Sequence, residues 1–521
     1  MLSLPAIAAR LGVGPASASA ADAGRPLQFL TGGARDLPAR QQTLRDAINW
    51  SYGLLHADEQ TMFRRLCVFS GGCTLDAVER VAAEPTEEGR SPFDLVEALV
   101  DNSLLRQDAP DRADADEPRF TMLETIRAFG QELLEASGEQ QAVRRRHAAY
   151  VVALAEEAEP ELRGPHQGVW LADLEREHDN CRAALIWAMA GQDATLALRL
   201  AGALGRFWYL RGHYSEGRSW LERALGLAAD RGVTDHVVGG AIFARALTAA
   251  AVLAEGQGDH QRATELAQRS LALWESAGDR AGGAGALNVL GNAARRRGDL
   301  TAAWAYHEQS LRERRAGGDH WTAAGSLNNL AVVARRRGDL ADAAALCREG
   351  LTIRRALGDQ GGEATSLNTL ATLLQEQGDV EQAATLFGRS LDLWRALGER
   401  WGMAGATRNL AALALDEGAL TQAAALYRQG WTLSRDLGDA DSAAECLTGL
   451  ARVAAAHGQP ERALRLFGTA SAHAGRAAPS GLAQQIIAEA RASLDDEAAR
   501  RLWAAGEALS PAAVDVEVDD L

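Results

Sequence analysis

Lysine is missing from the sequence: every one of the 54 basic positions is arginine, so chemistry that needs a lysine amine is excluded within this chain. Aromatic residues make up only 5% and β-branched runs are scarce; the 47% apolar content rests on alanine and leucine, which favour helix. The five cysteines, Cys67, Cys73, Cys181, Cys347 and Cys446, form no CxxC pair. They lie in helical patterns or beside turn glycines and read as reduced core residues. No apolar run reaches the roughly 18–20 residues that cross a bilayer, so no membrane partner is expected. The opening MLSLPAIAARLGVGPASASA ends in small residues, as signal peptides do, but it has no basic start and Arg10 interrupts it. The expected location is therefore cytoplasmic. A formal charge of −16 argues against a surface that coats nucleic acid, while a local basic patch stays open.

With 521 residues the chain exceeds what one core organises, so several domains or a repeat array are expected. Periodicity decides for a repeat. Gly258-Asp259, Gly298-Asp299, Gly338-Asp339 and Gly378-Asp379 recur 40 residues apart, and Gly418 and Gly458 continue the series. A second set lies halfway between: Gly278-Asp279, Gly318-Asp319, Gly358-Asp359, Gly398-Glu399 and Gly438-Asp439. Glycine reaches the left-handed conformation that ends a helix, and the following Asp caps the next one, so each unit is a helical hairpin. Ala263, Ala303, Ala343, Ala383, Ala423 and Ala463 form an all-alanine column where helices approach closely. Leu266, Tyr306, Leu346, Leu386, Leu426 and Leu466 are expected to fill the neighbouring gap. On the first helix Leu287, Leu327 and Leu367 are followed by Leu290, Leu330 and Leu370 and then Gly291, Ala331 and Ala371, an i, i+3, i+4 stripe.

The pattern Leu290-Gly291, Gly298, Ala303 and Leu311 resembles the tetratricopeptide repeat, usually about 34 residues long. The longer unit is similar to the extended class of kinesin light chain and mitotic-spindle adaptor proteins. The resemblance spans residues 237–478 and implies a mainly α fold, a right-handed α-solenoid with a concave groove that binds a protein or peptide. In that family the groove is lined by the first helix of each hairpin. Carried over by position, the lining residues are Asn288, Asn292, Arg295 and Arg296, then Asn328, Arg335 and Arg336, then Asn368 and Gln375. Asparagine offers donor and acceptor to an extended peptide backbone, and its recurrence mid-helix in one column, against poor helix propensity, favours this role. The arginines would select carboxylates, which points to an acidic partner. Arg295 to Arg297 and Arg335 to Arg337 also fall in last turns, where cations complement the helix dipole and stay solvated.

Residues 138–236 stay helical but leave the register, and are expected to be degenerate hairpins capping the solenoid. His178 and Asp179, within LEREHDNCRAALIWAM, invite a metal or catalytic reading, but no partner ligands lie at suitable spacing, so both read as structural. Residues 35–137 differ. Helices are predicted at Gln41 to Leu55, Asp58 to Phe69, from Thr74, and from Ser91-Pro92, where Ser caps and Pro takes the first turn. Strands are predicted at Ser103 to Arg106 and Arg119 to Leu123, separated by the acidic DAPDRADADEP. Three helices and a two-stranded wing make a winged-helix arrangement.

The segments RQQTLRDAINWSYGLLHADEQTMFRRLCVFSGGCTLDAVERV, LVDNSLL, RFTMLETIRAFGQELLEASGE and LEREHDNCRAAL resemble the bacterial STAND regulators, signal-transduction ATPases that are often LuxR-type or antibiotic-pathway transcription regulators. Their order is a P-loop module, a winged helix, then tetratricopeptide repeats. Leu502-Trp503 through Gly506 and Leu509-Ser510, within the C-terminal helices and acidic tail at 479–521, continue the resemblance. A P-loop needs GxxxxGK[ST], and a chain without lysine has none. Residues 1–34 read as the remnant of that module. Where relatives place a Met-His-Asp element, this chain has Met122-Leu123-Glu124, and Leu cannot make the phosphate contact attributed to His. The expected function is a non-enzymatic signalling or transcription-regulator scaffold, with no catalytic residues, cofactor or metal. The alternatives are the sensor half of a split ATP-dependent switch whose P-loop module is a separate partner, and DNA binding by the winged helix through Arg64, Arg65 and Arg106.

Overall fold

A computed structural model of the chain describes residues 44–83, 90–108, 118–232, 237–473 and 481–519. The expected P-loop remnant at 1–34 and nearly all of the acidic loop fall outside them. The chain divides into two compact units: one runs to Leu162 and again from Val169 to Ala277, the other takes Arg163–Gly168 and everything from Gly278.

The first unit begins with α1 (Leu44–Gly53), α2 (Ala57–Leu66), β1 (Cys73–Thr74), α3 (Leu75–Val81), α4 (Pro92–Asp101), β2 (Arg106–Asp108), β3 (Arg119–Thr121) and α5 (Glu124–Ala136). Local signals set the helix starts. The Thr74 hydroxyl accepts from Ala77 N, and Ser91 and Asp94 exchange backbone bonds ahead of Pro92; each cap is worth about 1 kcal/mol. Phe63, Val78, Val96 and Leu99, all fully buried, close the core. The sheet has three strands rather than the two expected, in the order β1-β3-β2, all antiparallel. Phe120 pairs with Cys73 on one side and Gln107 on the other. The strand predicted at Ser103 to Arg106 begins only at Arg106. Ser103 takes φ +56°, the amides of Leu104 and Leu105 turn back to Leu99 O, and the two leucines plug the core instead of pairing.

Seven further helices complete this unit: α6 (Gln140–Glu161), α7 (Gln167–Arg176), α8 (His178–Ala190), α9 (Ala194–Arg211), α10 (Tyr214–Asp230), α11 (Val237–Gly256) and α12 (His260–Ser276). Their packing relies on missing side chains. A Cβ on Gly217 would lie 2.6 Å from the Trp208 ring, which is why a buried tryptophan fits there.

The second unit stacks the hairpins α13 (Arg280–Arg296) and α14 (Leu300–Ala316), α15 (His320–Arg337) and α16 (Leu340–Leu357), α17 (Gln360–Glu376) and α18 (Val380–Leu397), α19 (Arg400–Asp416) and α20 (Leu420–Leu437), and α21 (Ala440–Ala456) and α22 (Pro460–His473). The glycine punctuation holds. Gly338 at φ +89° ends α15 with its amide on Arg335 O, and Asp299, Asp319, Asp359, Asp379 and Asp439 cap the following helices. Within this unit the alanine column is fully buried from Ala303 to Ala463. The expected leucine column is fully buried at Leu466, and at Leu266 in the first unit, but half-buried at Tyr306, Leu346, Leu386 and Leu426, where the residue one on, His307, Cys347, Phe387 and Tyr427, lies deeper. The sizes of these deeper residues are matched to small residues on neighbouring helices: within one hairpin a Cβ on Gly291 would meet the His307 ring at 2.6 Å, and between successive hairpins one on Gly449 would meet the Tyr427 ring at 2.2 Å. A further tight column alternates in chemistry. Ser310 and Ser390 donate to Ala284 O and Ala364 O at 2.8 Å, while the same column carries Gly350, where a Cβ would lie 3.3 Å from Ala324 O.

The last helices, α23 (Gly481–Ala492), α24 (Asp496–Glu507) and α25 (Pro511–Asp519), cover the final hairpin. Gly468 and Gly506 let α22 and α24 touch backbone to backbone, with Thr469 Oγ1 donating to Gly506 O at 3.0 Å. The acidic residues of α25 are engaged: Asp515 accepts from Trp431 Nε1 and pairs with Arg435, and Glu517 pairs with Arg465.

Candidate functional site: the first-helix face and the winged-helix junction

The predicted groove residues all lie on α13, α15 and α17, and the structure shows how neighbouring first helices are stitched. Asn329 Nδ2 donates to Asn288 Oδ1 at 2.7 Å, and Asn409 Nδ2 to Asn368 Oδ1 at 3.0 Å. Arg336 Nη1 donates to Arg295 O at 3.3 Å, Arg335 pairs with Glu376 at 3.1 Å, and Gln375 Nε2 donates to Asp416 at 3.3 Å. Every one of these bonds joins residues offset by 41, not 40. A side chain that points forward to the next helix meets the residue on that helix's rear flank, and the rear flank carries a different column. Hence Asn329, Asn409, Glu376 and Asp416 were invisible to columns spaced by 40, although an offset of one would have found them.

Asn328 breaks the pattern. The residue in its donor position is Thr369, whose hydroxyl donates to Thr365 O instead, so Asn328 Oδ1 is buried with no hydrogen-bond partner. Asn292 and Arg295 are half-buried and Arg296 is exposed. Charge falls along the helix ends: Arg295 to Arg297 close α13 and Arg335 to Arg337 close α15, whereas Glu376 ends α17 and Asp416 ends α19. Arg337 is turned aside, donating to Leu300 O and lying 4.9 Å over the Trp304 ring.

In the first unit, the EHDN segment that sequence reading left as structural is the bolt between the winged helix and the helices after it. Asn180 is fully buried and uses all its bonding capacity. Its Oδ1 accepts from Ser70 N at 2.7 Å and faces His147 Nε2 at 3.2 Å, and its Nδ2 donates to Gly72 O at 3.0 Å and Glu177 at 2.6 Å. Arg119 on β3 pairs with Glu177 and donates to Gly71 O, Gly72 O and Arg176 O at 3.0–3.1 Å. Gly72 at φ +91° is required, because a Cβ would lie 2.6 Å from Phe120 O. Burial pushes the His147 imidazole down to about 4 despite its bond to Asn180, so it sits neutral in the junction. Asp179 pairs with Arg182 at 2.9 Å. Sequence spacing offers His178 no partner ligands, but in space Glu175 and His213 stand beside it, the latter from the turn that caps α10.

The residues proposed for DNA contact are placed otherwise. Arg65 is buried, donating to Ala82 O and pairing with Glu139; Arg64 is half-buried on Tyr52 and Thr61; Arg106 is exposed but pairs with Asp108. The third helix, α4, which a winged helix would present to a groove, reads PFDLVEALVD and carries Asp94, Glu97 and Asp101 with no cation. Of the Met122-Leu123-Glu124 element, Met122 packs on the core beside Cys67, Leu123 is exposed and Glu124 pairs with Arg127 on its own helix. Among the described residues no helix is long and apolar enough to cross a membrane.

With this geometry in view, residues 55–135 match the winged helix-turn-helix domain family and residues 322–396 match the tetratricopeptide repeat family. The chain thus carries a segment of each kind, one in the winged-helix region and one in the stacked hairpins. Its relatives include a protein of Mycobacterium tuberculosis provisionally named an HTH-type transcriptional regulator, 38% identical over 269 residues, 51% of this chain and 29% of that one. The Mycobacterium bovis counterpart matches equally. The chain thus spans less than a third of these relatives. In fold, 95% of this chain matches 69% of a STAND protein with a tetratricopeptide repeat sensor from Pyrococcus horikoshii, at a TM-score of 0.56 and 14% identity.

Proposed function

We propose that the chain is a non-catalytic regulatory scaffold, acting in transcription control, whose first helices in the second unit hold an extended, acidic protein or peptide segment. The regulatory part follows the mycobacterial relatives' printed name, and the binding part follows the repeat fold and its polar face. The observation that carries the proposal is the asparagine series: Asn288 and Asn368 are matched by Asn329 and Asn409, while Asn328, between them, keeps an unmet carbonyl. An unmet buried carbonyl costs about 1–3 kcal/mol, and turning toward a peptide N–H relieves it. Arg295, Arg296, Arg335 and Arg336 supply the cations that favour carboxylates at that end, with Asn292 and Gln375 flanking.

Fluorescence anisotropy with labelled nine-residue peptides of acidic, neutral and basic composition, on the full chain, tests this reading. Acidic peptides are expected to bind best, and Asn328→Ala to weaken them about tenfold, the loss of one net hydrogen bond. Binding with no charge preference, or unchanged in Asn328→Ala, overturns it. A second reading, the sensor half of a split ATP-dependent switch with a separate P-loop module, draws on the fold shared with the STAND protein. DNA binding through the winged helix is disfavoured by the acidic α4.

A further inference from the structure

Below the junction, three helix ends converge. Glu175 stands in the last turn of α7, Glu177 caps α8 so that the chain bends before His178, and Gly212 at φ +76° closes α9 and swings His213 back against them. One ligand-type atom of each of Glu175, His178 and His213 lies within 4.8 Å of the other two. We infer that Glu175, His178 and His213 form a binding site for a divalent transition-metal ion of the zinc type. The inference is independent of the peptide-binding proposal, since all three residues lie in the first unit.

His178 is 5% exposed, and its Nε2 has no hydrogen-bond partner; Glu216 Oε1 stands at 3.4 Å but outside bonding geometry. A buried ring nitrogen left unmet and turned toward another imidazole and carboxylates suits a cation better than it suits packing. Two of the gaps already have the right size. His213 Nε2 is 3.4 Å from Glu175 Oε1, and the same 3.4 Å separates His178 Nε2 from Glu216 Oε1. Ligands about 2.0–2.1 Å from a tetrahedral zinc stand about 3.3 Å apart. The ring centroids of His178 and His213 are 4.9 Å apart, so the two imidazoles converge on one point.

The outer contacts orient the ligands. Arg211 holds the second oxygen of Glu175 at 3.3 Å, and Arg182 grips both oxygens of Glu216 at 2.6 Å while pairing with Asp179. Three carboxylates thus face two guanidiniums, leaving one net negative charge for the cation. A water would complete the fourth position, with Glu216 held by Arg182 as an outer neighbour of His178, and the ion would tie α7, α8 and the turn into α10.

The test uses the full chain without a histidine tag, stripped with chelator and titrated with zinc by calorimetry, and with cobalt for the visible bands of a tetrahedral site. About one equivalent is expected, weakened at least about tenfold by His213→Gln and by Glu175→Gln, both at half-exposed or exposed positions, and unchanged by the exposed His320→Gln. Circular dichroism verifies that both variants fold. No zinc uptake, uptake indifferent to both variants, or octahedral cobalt bands would overturn the assignment.

Discussion

The two units are held together by opposite strategies. In the second, stability is spread over columns that repeat: buried alanines, a large residue matched to a small one on a neighbouring helix, and Ser or Gly where the two helices of a hairpin touch. In the first, the winged helix is bound by residues that occur once, Arg119, His147, Glu177 and Asn180, each with several buried partners. A distributed interface loses little with any one residue, whereas a unique polar bolt is lost whole.

The strongest way to break this comparison is Asn180→Ala. It orphans the Ser70 amide and the His147 Nε2 in a dry site and leaves Gly72 O and Glu177 to Arg119 alone, and is expected to cost about 3–5 kcal/mol. Hydrogen exchange should show protection lost across residues 44–232 and kept across 281–473; uniform loss in both would erase the contrast. Acidification comes next. Burial holds His147 and His307 at about 4, the latter also opposed by Arg295 and Arg314. Each is neutral in the fold and protonates in the unfolded chain below about 6.5, so stability is intact above that pH and falls between about 6.5 and 4, by up to about 3 kcal/mol per histidine. His307→Gln should flatten the decline in the second unit only, as read by denaturant melts at pH 7.5 and 5.

A smaller effect sharpens the repeat side. Gly291→Ala forces a methyl into the His307 ring and should cost about 1–3 kcal/mol, with His307→Ala in the same chain restoring most of it. A double mutant no better than Gly291→Ala would show that the columns are not size-matched. Smallest of all, Asn328→Ala removes an unmet carbonyl and should leave the melting temperature unchanged or raise stability by up to about 1 kcal/mol, whereas Asn288→Ala, which deprives Asn329 of its acceptor, should lower it.

Much of the second unit was legible residue by residue, because Gly-Asp pairs act within one turn of the chain. The alanine column was legible too, since only small residues fit where helices cross. The large-residue column held at Leu266 and Leu466 but was displaced by one in the four repeats between, because half-buried leucines and fully buried mixed residues look alike to a hydrophobic count; His307 and Cys347 belong to the core without being counted as its markers. The wing was misread at Ser103 to Leu105 for a related reason: an apolar triplet states that it is buried, not whether it is paired or plugged.

Sequence alone determined the helical hairpins, their 40-residue period, their caps and the absence of a lysine-bearing P-loop, all of which depend on residues near in the chain or on composition. Tertiary structure alone decided which asparagines meet, that Arg119 reaches the EHDN segment 58 residues away at Glu177, and that His213 stands beside His178. Those contacts depend on how each helix is rotated about its axis, and that angle is set by the packing of the whole face rather than by any local run of residues.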